Sequence, residues 1–330
     1  MSEAIAVIGC GQFGSVVASH CARAGHAVRL WGRNDQEVDG LLQSRRSTRV
    51  NGLVIPDSVV ITTDGNAAMS GVRMIITAIP SQYARSVWKV LRPACPAGVT
   101  VVSLAKGFEV ETLKRPSEVL RELEIGGEVV TLSGPSVASE VALGLPTALV
   151  VAGEAAAARQ VQQALATSAW RIYLSADQIG VEAAGALKNV IALAAGMVDG
   201  MQLGINAKAT LLARGTAEMA RLGMALGGSR ETFFGVAGVG DLATTCFSED
   251  GRNRTLGERL GRGEDFASAL RSMHSVVEGV DTCRAVVELS RRLGVEVPIA
   301  SAVHAVLFGG ATPHHALQEL MRRASGEERL

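Results

Sequence analysis

"AVIGCGQFGSVVASHCARAGHAVRLWGR", residues 6–33, decides how the N-terminal half of the chain folds. The β-branched run "IAVIG" at 5–9 predicts a strand, a helix is expected over 14–24, and "HAVRLWGR" at 26–33 predicts the next strand. Gly9, Gly11 and Gly14 form G-x-G-x-x-G at the junction between strand and helix. The first glycine permits a tight turn, and the second lets the backbone approach a pyrophosphate. The third lets helix and strand pack closely, with the phosphates at the helix N-terminus. Glycine spacing alone is a weak signal, but here a strand precedes it and a helix follows. The stretch predicts a dinucleotide site on a Rossmann-type unit.

At the end of the second strand a carboxylate would bind the ribose 2′-hydroxyl of NAD. "LWGRN" instead places Arg33 there, and an arginine accommodates a 2′-phosphate. NADP(H) is therefore favoured as cofactor, with NAD(H) also usable. A solvated loop arginine is the competing reading, since Asp35 lies two residues on.

Further apolar runs follow at 59–63, 73–80, 99–107, 128–134, 147–153 and 170–175, the last two bracketing an alanine-rich helix over 154–168. Apolar strands separated by helical spans predict an α/β fold with a parallel, doubly wound sheet. Beyond Asp177 the strand signals stop and the remainder reads as helices, with loops at 200–204, 227–230, 235–240 and 248–251. The expected division is a Rossmann domain over 1–178 and an all-helical, substrate-binding domain over 179–330.

The chain has 330 residues, enough for two domains, and is 48% hydrophobic, 19% charged and only 4% aromatic. Lys plus Arg and Asp plus Glu balance at 32 each, so no global field draws it to nucleic acid or an anionic membrane. Neither is expected as a partner. Five cysteines without C-x-x-C or Cys/His spacing argue for a reducing compartment, no disulfide framework and no metal site. "AIAVIGCG" at 4–11 lies almost at the N-terminus without a basic segment or cleavage site, so no signal peptide is expected. The apolar run around Lys188 is interrupted by Glu182, Lys188 and Asn189, a poor pattern for a membrane span. A cytoplasmic protein without membrane insertion is expected.

Several stretches stand out against a plain scaffold. "SLAKGFE" at 103–109 puts Lys106 at a strand end, where open α/β sheets bind ligands. "SGPSVASE" at 133–140 does the same after the next strand with Gly134 and Ser136. In "GVAGVGDLATTC", 235–246, Asp241 could simply cap a helix starting at Leu242. In "DGRNRTLG", 250–257, Arg252, Asn253 and Arg254 offer forked donors without a nearby run of acids, which suits a phosphate or carboxylate, or else forms a solvated loop.

Lys188 is the sharpest anomaly, a single charge in "AGALKNVIALAAGMVDG", 183–199. Burying an ammonium costs several kcal/mol unless a partner compensates, on the order of the penalty for other buried ions. Burial also lowers a lysine pKa toward the range where it exchanges protons at neutral pH. Ala184, Ala192 and Ala195 on the same face are small and are expected to leave room for a ligand. Snorkelling, or a purely structural pairing with Asp241, is the alternative to a proton-transfer role.

Taken together, "GCGQFG", "AIPSQYAR", "AKGFE", "SGPSVASEV", "ALKNVIALAAGMVDG", "GVGDLATTC", "RNRTLG" and "VVEGVDT" resemble, in order and spacing, the bacterial-type NAD(P)-dependent glycerol-3-phosphate dehydrogenase family. The resemblance implies a Rossmann domain joined to a helical domain in a homodimer. It implies interconversion of dihydroxyacetone phosphate and sn-glycerol 3-phosphate for phospholipid synthesis. By motif, Lys188 is the proton donor and acceptor, with Lys106 and Asp241 completing the catalytic group. Lys106, Gly134, Ser136, Lys188, Asp241, Gly251, Arg252 and Asn253 line the substrate. Gly9, Gly11, Gln12, Phe13, Gly14, Arg33, Lys106, Ala138, Arg252, Val276 and Glu278 fall on cofactor positions.

Two departures from the family pattern stand out. Gly251 replaces the usual serine, leaving its backbone N–H as the available donor, and 49–59 lacks the usual Tyr-Leu-Pro stretch. A related two-domain dehydrogenase of β-hydroxy acids or hydroxyacyl thioesters, or a non-catalytic nucleotide sensor, are the competing functions, since fold does not dictate function.

Overall fold

The computed structural model describes residues 2–273 and 275–323. The chain forms two compact units, Met1–Ala105 with Pro116–Gln178, and Lys106–Arg115 with Ile179–Leu330.

The first unit is built on eight strands: β1 (Ala4–Ile8), β2 (Ala27–Trp31), β3 (Val60–Thr62), β4 (Met74–Thr77), β5 (Thr100–Ser103), β6 (Val129–Ser133), β7 (Thr147–Ala152) and β8 (Trp170–Ser175). Their order is β3-β2-β1-β4-β5-β6-β7-β8, so the first six follow the Rossmann order outward from β1. The apolar runs are continuous because both sheet faces are covered. Ile5 and Val7 pack into one core, while Ala6 and Ile8, on the opposite side of the pleat, pack into another.

The sheet departs from the all-parallel expectation at one pair, since β6 and β7 run antiparallel. The connection between them carries only the five-residue helix Ala138–Ala142. Such a helix spans about 7.5 Å at 1.5 Å per residue, too short to return the chain along a strand for a parallel crossover.

The glycine motif shows why each position is small. Gly9 has φ +113°, and its N–H donates to the carbonyl of Trp31 at 2.9 Å. A β-carbon on Gly14 would lie 1.8 Å from the Gly9 carbonyl oxygen, whereas one on Gly11 would meet nothing within 4 Å. Gly14 thus brings the helix Gln12–Arg23 close to β1, and Gly11 leaves its N-terminus open.

The second unit is helical and packs around Gln178–Gly200, a 23-residue helix. By length and composition that helix could cross a membrane, but it is almost wholly buried inside the structure. Ala184, Ala192 and Ala195 are fully buried in its core. They therefore do not leave room for a ligand, as their size had suggested; their small side chains serve close packing.

Lys106–Arg115 leaves the sheet sequence to join the helical unit, and a single cut along the chain does not separate the two. Phe108 and Leu113 enter the helical core, and the Arg115 guanidinium lies 2.7 Å from the carboxylate of Glu182 on the long helix.

Gly14→Ala is expected to destabilise the protein by about 1–3 kcal/mol through overpacking of helix against strand. Gly11→Ala should cost less than half as much, a contrast that urea unfolding of the two variants measures.

Candidate active site

In the helical unit the long helix holds Lys188 on a buried face. Its Nζ donates to Asp241 Oδ1 at 2.5 Å and to Thr245 Oγ1 at 2.7 Å. Lys106 Nζ donates to the other carboxylate oxygen of Asp241 at 2.7 Å. Asp241 is the first residue of the helix Asp241–Phe247, with Gly240 in the capping position. Its carboxylate is therefore turned to the lysines, and the capping role offered by the sequence does not apply. Thr245, one turn later, donates its hydroxyl to the Asp241 carbonyl at 2.7 Å, which leaves its lone pairs for Lys188. The glycine-rich stretch expected as a loop is itself wound as a π-helical turn over Val236–Gly240.

Burial pushes the Lys188 ammonium down to about 8, with the neighbouring Lys106 charge acting in the same direction and Asp241 opposing both. Burial alone would raise the Asp241 carboxyl, but the ammonium groups of Lys106 and Lys188 together outweigh it and hold the group below the usual carboxylate range. The cluster keeps Asp241 ionised and Lys188 within reach of deprotonation near neutrality. The structural-pairing alternative thus describes the contact correctly, yet the pairing leaves Lys188 poised to titrate.

A chain of amides ties this cluster to the next element. Asn189 Nδ2 donates to the Lys106 carbonyl at 2.9 Å, and Asn189 Oδ1 accepts from Asn253 Nδ2 at 2.9 Å. Asn253 Oδ1 in turn accepts the Gly279 N–H at 2.9 Å, at the start of the helix Glu278–Leu293. A β-carbon on Gly279 would lie 2.5 Å from that oxygen, so the site admits only glycine.

Arg252 opens the helix Arg252–Gly261, where a polar loop was one reading of the sequence. Its guanidinium donates to the Val276 carbonyl at 2.9 Å. Gly251 precedes that helix and provides no side-chain cap, so the first-turn N–H groups and the Arg252 guanidinium form an anion-favouring end. The Gly251 N–H itself lies 3.3 Å from the Ser248 carbonyl and is spent there, contrary to its expected use as a substrate donor. Arg254 is also not the unneutralised donor its sequence context suggested, because its Nε donates to Asp199 at 2.7 Å.

Asn189 and Thr245 are the site residues that sequence reasoning missed. Asn189 carried a signal, as a second polar residue beside Lys188 in a buried helix. Thr245 was marked only by standing four residues after Asp241.

The remaining predicted positions lie in the sheet unit. Gln12 and Phe13 form the first turn of the helix after Gly11. Arg33 is exposed two residues beyond β2. Asp35 opens the helix Asp35–Ser44, which Asn34 caps by accepting the Glu37 N–H at 3.0 Å. Its charge suits that helix N-terminus. Gly134 follows β6 with φ +131°, Ser136 Oγ donates to the Gly134 carbonyl at 3.0 Å, and Ala138 begins the short helix.

A Rossmann dinucleotide cradle, together with a buried lysine–aspartate cluster and an anion-favouring helix start, defines a nicotinamide-nucleotide-dependent oxidoreductase. Residues 4–159 and 177–318 match the N-terminal and C-terminal segments described as NAD-dependent glycerol-3-phosphate dehydrogenase. The chain belongs to this family. A relative from Salinibacter ruber named glycerol-3-phosphate dehydrogenase (NAD(P)+) 2 is 43% identical, over 99% of this chain and 97% of its own length. One from Geobacillus kaustophilus, named glycerol-3-phosphate dehydrogenase (NAD(P)+), is 44% identical over 99% of this chain and 96% of its own. The crystal structure of the Coxiella burnetii glycerol-3-phosphate dehydrogenase superimposes with a TM-score of 0.93 at 34% identity, covering 98% of this chain and 99% of that one.

Thr245→Val keeps the side-chain volume but removes the acceptor for the Lys188 ammonium. A hydrogen bond to a charged group contributes about 1.5–3 kcal/mol to the folded state, so the variant should lose roughly that much stability, and kcat should fall as well because the ammonium is no longer held in place. Steady-state turnover alongside thermal unfolding checks both parts.

Proposed function

We propose that the protein interconverts dihydroxyacetone phosphate and sn-glycerol 3-phosphate with NAD(P)H, Lys188 giving and taking the proton at the C2 oxygen. The observation that carries this reading is the buried group in which Lys188 and Lys106 share the Asp241 carboxylate.

The nucleotide, when bound, supplies or accepts the hydride. Gly9, Gly11, Gln12, Phe13 and Gly14 would hold its pyrophosphate, with the open approach at Gly11 supporting that fit. In the direction of ketone reduction, negative charge develops on the C2 oxygen. The Lys188 ammonium stabilises that charge and then donates its proton, and the positive charge of Lys106 favours the same development. Asp241 and Thr245 hold the ammonium in place throughout. Arg252, with the first-turn N–H groups after Gly251, grips the phosphate and orients the ketone through binding energy remote from the reacting carbon. Asn253 supports this grip through its bonds to Asn189 and Gly279. Gly134 and Ser136 line the substrate, and Ala138, Val276 and Glu278 contact the nucleotide.

Arg33 supports NADP(H) as the favoured nucleotide, because its exposed guanidinium is available to a 2′-phosphate. The product sn-glycerol 3-phosphate feeds phospholipid synthesis. Cys10, Cys21, Cys95, Cys246 and Cys283, all free thiols, support a cytoplasmic setting. The chain acts there as a homodimer, the state its family resemblance implies.

Purified protein should oxidise NADPH or NADH in the presence of dihydroxyacetone phosphate, and absence of turnover with either nucleotide would overturn the assignment. Because reduction needs Lys188 protonated, its rate should fall as pH rises through about 8, whereas alcohol oxidation needs the neutral amine and should rise through the same value. Lys188→Ala should abolish turnover and both pH responses without unfolding the chain.

Arg33→Asp should move the ratio of kcat/KM for NADPH over NADH toward NADH by at least tenfold. An unchanged ratio would remove Arg33 from nucleotide selection.

A further inference from the structure

The long helix bearing Lys188 and the helix Arg252–Gly261 touch at distances that only glycine permits. A β-carbon on Gly196 would lie 2.0 Å from the Arg254 carbonyl oxygen, and one on Gly200 2.1 Å from that of Glu258. The relation is reciprocal, for a β-carbon on Gly257 would lie 2.0 Å from the Leu193 carbonyl oxygen and one on Gly261 2.4 Å from that of Met197. Two G-x-x-x-G pairs therefore face each other, backbone against backbone, over a full turn of each helix.

Backbone contact of this kind sets how far apart the helices stand, and side-chain bonds across the seam add to it in fixing which residues meet. One such tie is the Asn253–Asn189 amide bond, and another is Asp199, which lies between Gly196 and Gly200 in the chain. Its Oδ2 accepts from Arg254 Nε at 2.7 Å. Lys208, on the neighbouring helix Gly204–Ala225, donates to Oδ1 at 2.9 Å and to Oδ2 at 2.8 Å. Arg254 stands two residues after Arg252, and Asn253 reaches Asn189, the residue beside Lys188. The register of the second helix against the first thus dictates where the anion-favouring end lies relative to the acid–base lysine. A displacement of about 1 Å between a binding group and a reacting centre can cost on the order of 100-fold in rate.

We propose that Asp199, acting through Arg254 across the facing glycines, is the positioning residue that holds the phosphate grip in register with Lys188 and so sets the preference for a phosphorylated over an unphosphorylated ketone. The proposal rests on the reading of Arg252 as that grip. Asp199 touches no reacting atom; it governs whether phosphate binding energy is delivered to the correct place. An unphosphorylated ketone gains nothing from the grip and is insensitive to its register.

The test compares kcat/KM for dihydroxyacetone phosphate with kcat/KM for dihydroxyacetone in the full-length wild type, Arg252→Ala, Asp199→Asn and Arg254→Met. Arg254→Met breaks the same tie while leaving Asp199 paired with Lys208, so it serves where Asp199→Asn does not fold. Asp199→Asn and Arg254→Met should each lower the ratio of the two constants at least tenfold, with the value for dihydroxyacetone kept within twofold of wild type. Equal loss on both substrates would mean a merely structural role and would overturn the proposal. So would an unchanged ratio in these two variants while Arg252→Ala lowers it. An unchanged ratio in Arg252→Ala itself would instead remove the phosphate-grip reading, and this inference with it.

Discussion

Two ammonium groups drawn to the carboxylate of Asp241 are the constraint on which the site is built. Lys106 and Lys188 repel each other, and burial makes that repulsion stronger than it would be in water. Asp241, only 1% exposed, offsets that repulsion and is itself kept ionised by the two positive charges. The arrangement lets a lysine remain buried without being neutralised, and it places that lysine's titration near physiological pH. The groups come from three separated parts of the chain, so the cluster also fixes those parts to each other.

The fold meets this demand by unusual closeness of backbone. The Lys106–Arg115 segment is pinned by Phe108 and Leu113 in the helical core and by Arg115 on Glu182, which places Lys106 beside the long helix. That helix is lined by alanine and glycine because its neighbours approach at backbone distance. Side chains on Gly196, Gly200, Gly257 or Gly261 would drive the helices apart and with them the groups they carry. The apolar composition that makes the helix long enough to cross a membrane is here a packing requirement.

The sheet unit was legible because its signals are local. An apolar strand covered on both faces reads as a continuous β-branched run, and Gly9 and Gly14 of the turn each answer to a contact within a few residues or with the adjacent strand. The direction of β7 was not legible, since it depends on how far a short connection can carry the chain. In the helical unit the anomaly of Lys188 was plain, but its surroundings were misjudged. The small size of Ala192 and Ala195 suggests clearance, yet they are packed core, and Arg254 has no acid near it in the sequence, yet Asp199 holds it. Asn189 and Thr245 escaped because an asparagine or threonine in a helix acquires a role only from what faces it.

By itself the sequence determined the doubly wound α/β first half, the nucleotide-binding turn, the helical second half and the family. These follow from periodicity, from glycine where a side chain cannot fit, and from motifs whose order along the chain is unmistakable. Only the tertiary structure decided that Lys106 belongs with the helices, that Asp241 faces two lysines instead of capping its own helix, and that glycines of two helices meet face to face. Charge pairing and backbone contact between residues separated by dozens of positions are properties of distance in space, which no local pattern encodes.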